Sequence, residues 1–180
     1  LTKSSFKKIG EKSSTSTYGA QKGFGLTKTP LNTKNDSERT GKLAERIFID
    51  TNPLIYLLDN ISPYQITVRN FFIEKKQRNA EFYTSTITDA EFFVKPFANR
   101  DLEKINIYRN FLREFEFLKC FVTEQIAERS ADIRAKYPNI KFADSLQLAA
   151  SIECDCTAFL TNDKQLKSVS EANVVYLGDL

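Results

Sequence analysis

Four acidic residues carry the chemistry this chain could perform: Asp50, Glu91, Asp144 and Asp163. Asp50 comes directly after the apolar run Ile47-Phe48-Ile49, and in open α/β sheets functional groups gather beyond the carboxyl ends of strands. Glu91 lies at the margin of the apolar face expected for a helix over 86–98, formed by Ile87, Ala90, Val94, Phe97 and Ala98, with Asp89 on the solvent side. Asp144 falls in the first turn of the apolar stretch Phe142-Ala143-Asp144-Ser145-Leu146-Gln147-Leu148-Ala149-Ala150, and Asp163 follows Leu160-Thr161-Asn162. Taken singly, each acid has a plainer role: a turn residue, a salt-bridge partner, a helix-dipole charge and an N-cap. Taken together they constrain one another. Like charges a few ångströms apart repel by about 4 kcal/mol per pair at a protein-like dielectric, so such a cluster must hold protons or bind a cation. A divalent cation among carboxylates acidifies a bound water and clamps phosphate oxygens during in-line displacement.

What is missing narrows the chemistry further. The sequence contains no histidine, which excludes His-based triads and His-ligated zinc. Three cysteines, Cys120, Cys154 and Cys156, make neither a disulfide framework nor a complete zinc set, and are expected as separate, packed thiols. Any metal must therefore be held by oxygen, which favours Mg²⁺ or Mn²⁺. A dehalogenase-type phosphatase would need a second Asp where Asn52 stands, a receiver domain needs acids and a lysine this order lacks, and no glycine-rich phosphate loop occurs.

The acids need a scaffold, and the pattern from Arg46 onward supplies one. Strands are expected at 47–49, 81–85, 118–122, 157–160 and 173–177. Between them, Asn52-Pro53 reads as an N-cap and first helical position, and Ser62-Pro63-Tyr64-Gln65 as a capping box opening a helix to about Asn79, with Ile66, Phe72 and Ile73 inward. Further helices are expected over 86–98, 101–117, from Thr123 to about Tyr137, over 142–153 and over 163–169. The expected fold is α/β with three layers, helices on both faces of a central, mainly parallel five-stranded sheet. Phe111, Phe115 and Phe117 are either core or a contact surface.

Charge divides the chain in two. Residues 1–46 carry ten Lys/Arg against four Asp/Glu, a net of +6, which leaves −3 for the remainder of a chain whose total is +3. The segment 1–45 is rich in Ser, Thr, Lys, Gly and Asn without a sustained period, and is expected to be a disordered leader. A linker, translated upstream sequence and a basic nucleic-acid-binding arm are the readings open to it, since the chain opens on Leu1 and contains no Met. The domain is expected over 46–180, in a soluble cytoplasmic protein without a membrane span. Lys95, Arg100, Lys104, Lys141, Lys164 and Lys167 flank the acids and form a candidate basic rim for a polyanion, although for any one of them a solvated cation is the plainer reading.

Four segments, in order, resemble the successive motifs of PIN domains: Ile47-Phe48-Ile49-Asp50-Thr51-Asn52, Thr88-Asp89-Ala90-Glu91, Phe142 to Ser151, and Phe159-Leu160-Thr161-Asn162-Asp163. The pattern is most similar to VapC-type toxins of bacterial and archaeal toxin–antitoxin pairs and covers 47–180. The resemblance implies an acidic metal site formed by Asp50, Glu91, Asp144 and Asp163, the last at a position where family members vary most. Thr51, Asn52 and Thr161 would orient ligands or water around it. It further implies Mg²⁺- or Mn²⁺-dependent hydrolysis of RNA, a homodimer, and a small antitoxin covering the acidic pocket. A PIN-fold protein that binds RNA or a partner without cutting is the alternative.

Overall fold

The computed structural model describes residues 44–180. The expected leader, apart from its last two residues, lies outside the described residues. Five strands form one sheet in the order β3-β2-β1-β4-β5, and every pairing is parallel. They are β1 (Arg46–Ile49), β2 (Glu81–Ser85), β3 (Leu118–Cys120), β4 (Ala158–Thr161) and β5 (Val174–Tyr176). Six α-helices connect them: α1 (Thr51–Leu58), α2 (Tyr64–Gln77), α3 (Thr86–Ala98), α4 (Leu102–Glu114), α5 (Glu124–Lys136) and α6 (Phe142–Glu153). A 3-10 helix, Lys164–Ser168, lies between β4 and β5. This is the expected three-layer α/β/α architecture.

The strand alternation explains the layers. Successive side chains of a strand point to opposite faces. Ile47, Ile49, Phe82, Ala158 and Leu160 join one core with Leu54, Val68, Phe72, Phe92 and Tyr108, whereas Phe48, Tyr83 and Phe159 join a second core with Ile126, Ile133, Leu146 and Leu148. Each fully buried Leu or Phe contributes roughly 1.5–3 kcal/mol. The first core is dominated by aromatics: Phe111, Phe115 and Phe117 all pack around Phe72, so the core role accounts for them. The second is mostly aliphatic and seats α5 and α6.

Helix ends follow local chemistry. After α1 and α2 the chain turns through the left-handed residues Asn60 and Asn79, a conformation Asn tolerates. In each case the following amide returns to the last helical turn, Ile61 N–H to the Tyr56 carbonyl at 2.9 Å and Ala80 N–H to the Lys75 carbonyl at 3.0 Å.

Several local expectations are corrected. The first helix is capped by Asp50, not Asn52, so Pro53 occupies its third position. No side chain caps α2, and Ile66 and Ile73 are exposed while Val68, Phe71 and Phe72 point inward. On α3 the buried face is Thr88, Phe92 and Pro96; Val94 and Phe97 are 67% and 59% exposed. Asp89 is not solvent-directed: its Oδ1 accepts the Tyr108 hydroxyl at 2.7 Å and its Oδ2 pairs with Lys119 at 2.6 Å. The third strand ends at Cys120, short of Val122. Cys120 and Cys154 are not separate thiols but are joined, with Cα atoms 6.7 Å apart, because the end of β3 and the C-cap of α6 meet at the second core. Cys156 is free, and burial pushes its thiol up to about 12.

Candidate active site

Asp50 is the last residue before the chain leaves the sheet. Its N–H still donates to the Leu160 carbonyl at 3.0 Å, holding it in register with β4. Its side chain turns back to cap α1, Oδ1 accepting the Thr51 N–H at 2.7 Å. Thr161, at the end of β4, donates its hydroxyl to Oδ2 at 2.6 Å. Both carboxylate oxygens are therefore fixed by groups that the strand ends position.

Glu91 reaches the same strand ends from α3. Its Oε2 accepts from the Thr51 hydroxyl and from Gln147 Nε2, the latter at 2.8 Å. Thr51 thus joins the first two acids: its N–H bonds Asp50 and its hydroxyl bonds Glu91. Asp144, in the first turn of α6, is half-buried and accepts no side-chain hydrogen bond from the described residues. Asp163 caps the 3-10 helix, its Oδ1 accepting the Gln165 N–H at 2.8 Å, and its own N–H donates to the Thr161 hydroxyl at 2.9 Å. Asn52 is exposed and is absent from this network.

Charge effects link the acids pairwise, Asp50 with Asp144 and Glu91, and Asp144 with Asp163 and Glu91. Asp50 is only 4% exposed. Burial raises its pKa to about 6 against the lowering effect of the Thr161 and Thr51 hydrogen bonds, and the charges of Asp144 and Glu91 add to the rise. Burial also raises Asp144, and the charge of Asp163 adds to it; Lys141 opposes and Glu91 reinforces. Two carboxylates held above their ordinary range by burial and by neighbouring acids mark a place that favours a proton or a cation.

A hard divalent cation suits these donors, which are all carboxylate oxygens. Among the described residues, no three Asp, Glu or Cys groups converge closely enough to hold an ion between them. A cation here would therefore take one or two carboxylates directly and complete its shell with water, as Mg²⁺ commonly does.

Of the flanking cations, Lys104 is committed to Asp59 and to the Leu58 carbonyl, and Lys167 to Asp179 at 2.6 Å. Neither belongs to a free basic rim. Lys95 lines a cavity of about 580 Å³ that Glu91 also borders, and the charge of Lys141 opposes part of the rise in the Asp144 pKa. Gln147 is the residue that sequence reasoning passed over. It is fully buried and contacts Thr88, Thr51 and Glu91. The signal available for it was a lone amide, one turn beyond Asp144, in a helix otherwise lined by Leu and Ala.

The domain is a parallel α/β fold with perturbed carboxylates at the end of β1 and the start of α6. The PIN domain model matches residues 47–172, so the chain belongs to the PIN domain family, whose members are as a rule nucleases. Solved structures share the fold. A chain of the VapBC2 complex from Rickettsia felis, bound to a promoter DNA fragment, superposes with a TM-score of 0.59 at 14% identity, covering 73% of this chain and 98% of that one. A chain of VapBC-1 from nontypeable Haemophilus influenzae gives 0.57 at 19%, covering 74% and 98%. A toxin–antitoxin complex from Klebsiella pneumoniae gives 0.55 at 21%, covering 73% and 97%. No curated protein matches the sequence.

Proposed function

We propose that this chain is a metal-dependent endoribonuclease of the VapC type, the toxin of a toxin–antitoxin pair. The observation that carries the reading is Asp50: a buried carboxylate at the central strand ends, raised to about 6, with Asp144 and Glu91 contributing to the shift. The matched complexes named VapBC support an antitoxin partner, and RNA is the substrate the family resemblance implies. A homodimer is what the family resemblance implies. Among the described residues no helix is long and apolar enough to cross a membrane.

The cation, Mg²⁺ or Mn²⁺, would sit among Asp50, Glu91, Asp144 and Asp163, with one or two of these carboxylates binding it directly and water completing its shell, and when bound it would supply Lewis acidity toward a phosphate and acidify a water. The protein's part is positioning. Thr51 and Thr161 fix the two oxygens of Asp50, and Thr51 with Gln147 fixes one oxygen of Glu91. Asp144, unencumbered by side-chain donors among the described residues, takes the proton that leaves the attacking water. In the hydrolysis the water oxygen bonds to phosphorus, the bond to the leaving oxygen breaks, that oxygen takes a proton from solvent, and Asp144 returns its proton to solvent.

The test is cleavage of mixed cellular RNA by the purified protein with Mg²⁺ or Mn²⁺ and with EDTA, beside Asp50→Asn and Asp144→Asn. Metal-dependent cutting lost in both variants is the expected result. One observation favours a second reading, a PIN-fold module that binds RNA or a partner without cutting: no three carboxylates stand at ligand spacing among the described residues. RNA binding without cutting, unchanged by either substitution, would establish that reading instead.

A further inference from the structure

Gln147 sits fully buried in α6 between Leu146 and Leu148. A primary amide in such a place costs several kcal/mol unless its hydrogen bonds are made. All three are. Its Oε1 accepts the Thr88 hydroxyl at 3.0 Å, and its Nε2 donates to Thr51 Oγ1 at 3.1 Å and to Glu91 Oε2 at 2.8 Å. The amide cannot face the other way, because an ionised Glu91 has only acceptors and demands the NH₂ group.

The remaining protons then have fixed directions. Thr88 must donate to the amide oxygen. Thr51, already accepting from the amide, has its own proton for Glu91. Two donors converge on Oε2 of Glu91, while no donor among the described residues reaches its Oε1. One oxygen is clamped and the other is left to bind. The clamp also ties three segments: the start of α1 beside Asp50, α3 with Glu91, and α6 one turn from Asp144.

We infer that Gln147, oriented by Thr88, is a positioning residue that sets the spacing of Glu91 against Asp50 and Asp144 and presents the free oxygen of Glu91 to a divalent cation. This rests on the nuclease reading. A tie between layers that served stability alone would affect melting and leave cation affinity unchanged, and this difference separates the two roles.

The experiment titrates the full chain with MnCl₂ alone, reading free Mn²⁺ by electron paramagnetic resonance, with thermal unfolding as the check on folding. Gln147→Leu is expected to fold and to bind Mn²⁺ about 10–100-fold more weakly, the usual range for residues that orient metal ligands. Thr88→Val, which keeps the volume and removes the orienting hydroxyl, should weaken binding in the same direction by roughly tenfold or less, and Thr88→Ser should restore it. A folded Gln147→Leu protein with wild-type Mn²⁺ affinity overturns the positioning role while leaving the nuclease reading intact. Should Gln147→Leu not fold, equal affinities in Thr88→Val, Thr88→Ser and wild type overturn it equally. Wild-type protein that binds no Mn²⁺ removes both the role and the reading beneath it.

Discussion

Asp50 and Glu91 are held differently from Asp144 and Asp163. The first two are laced into the strand ends by Thr51, Thr161 and Gln147, and between them they accept four side-chain or backbone donors. Asp144 accepts none from the side chains described, and the Asp163 carboxylate serves the 3-10 helix beside it. Thr161 bridges Asp50 and Asp163, donating to the first and accepting from the amide of the second. A site with one half clamped and the other less constrained is organised in advance, which would limit the reorganisation needed to bind a cation.

The comparison breaks most visibly at Asp50. Asp50→Asn should lower the rate of RNA cleavage at saturating Mn²⁺ by about 10³-fold or more, the scale seen when a member of a catalytic unit is removed. Single-turnover kinetics measures it, and a loss below tenfold would mean the clamped half is structural.

The same residue makes a prediction of opposite sign for stability. In the folded protein Asp50 titrates near 6, above its ordinary 3.8. The native state therefore holds this proton more tightly than the unfolded chain. The stability it contributes is fully present below about pH 4 and is lost as pH rises through about 6. A shift of this size corresponds to about 3 kcal/mol at most. In EDTA, Asp50→Asn should be more stable than wild type at pH 7.5 by up to about 3 kcal/mol, with little difference at pH 4. Urea denaturation at the two pH values reads this directly, and an equal or lower stability at pH 7.5 would contradict the strained, buried carboxylate.

Thr161→Val sharpens the comparison by cutting the bridge between halves. It removes a donor from Asp50 and an acceptor from the Asp163 N–H, so cleavage should fall roughly 10–100-fold. The smallest effect belongs to Asp163→Asn. Asn keeps the cap on Gln165, as N-cap preferences allow, and the position lies in the free half; a loss of less than about tenfold in rate is expected. A larger loss than at Thr161 would reverse the assignment of which half is organised.

The sequence made the frame of this site readable because its signals are local. Apolar runs followed by an acid marked the ends of β1 and β4, and the Phe142–Glu153 helix was found with its observed bounds. Asp163 has the place of an N-cap in the sequence and makes that bond. What escaped depends on contacts between distant segments. The bond from Gln147 to Thr51 spans 96 residues and the one to Thr88 spans 59, and no pattern within one helix announces them. The face of α3 was misread for the same reason: Thr88 is buried to serve Gln147, so the helix turns a polar residue inward and leaves Val94 and Phe97 outside. Asn52-Pro53 resembles a helix start, but the cap is Asp50, whose side chain accepts the Thr51 N–H.

The most direct test of the account is the position of a bound cation. Crystals grown with MnCl₂ and measured for the anomalous signal of manganese should show a peak within metal–oxygen bonding distance of Asp50, facing Asp144 and the free oxygen of Glu91. A manganese ion bound elsewhere, or none at concentrations that support RNA cleavage, would contradict the carboxylate site as the seat of the chemistry.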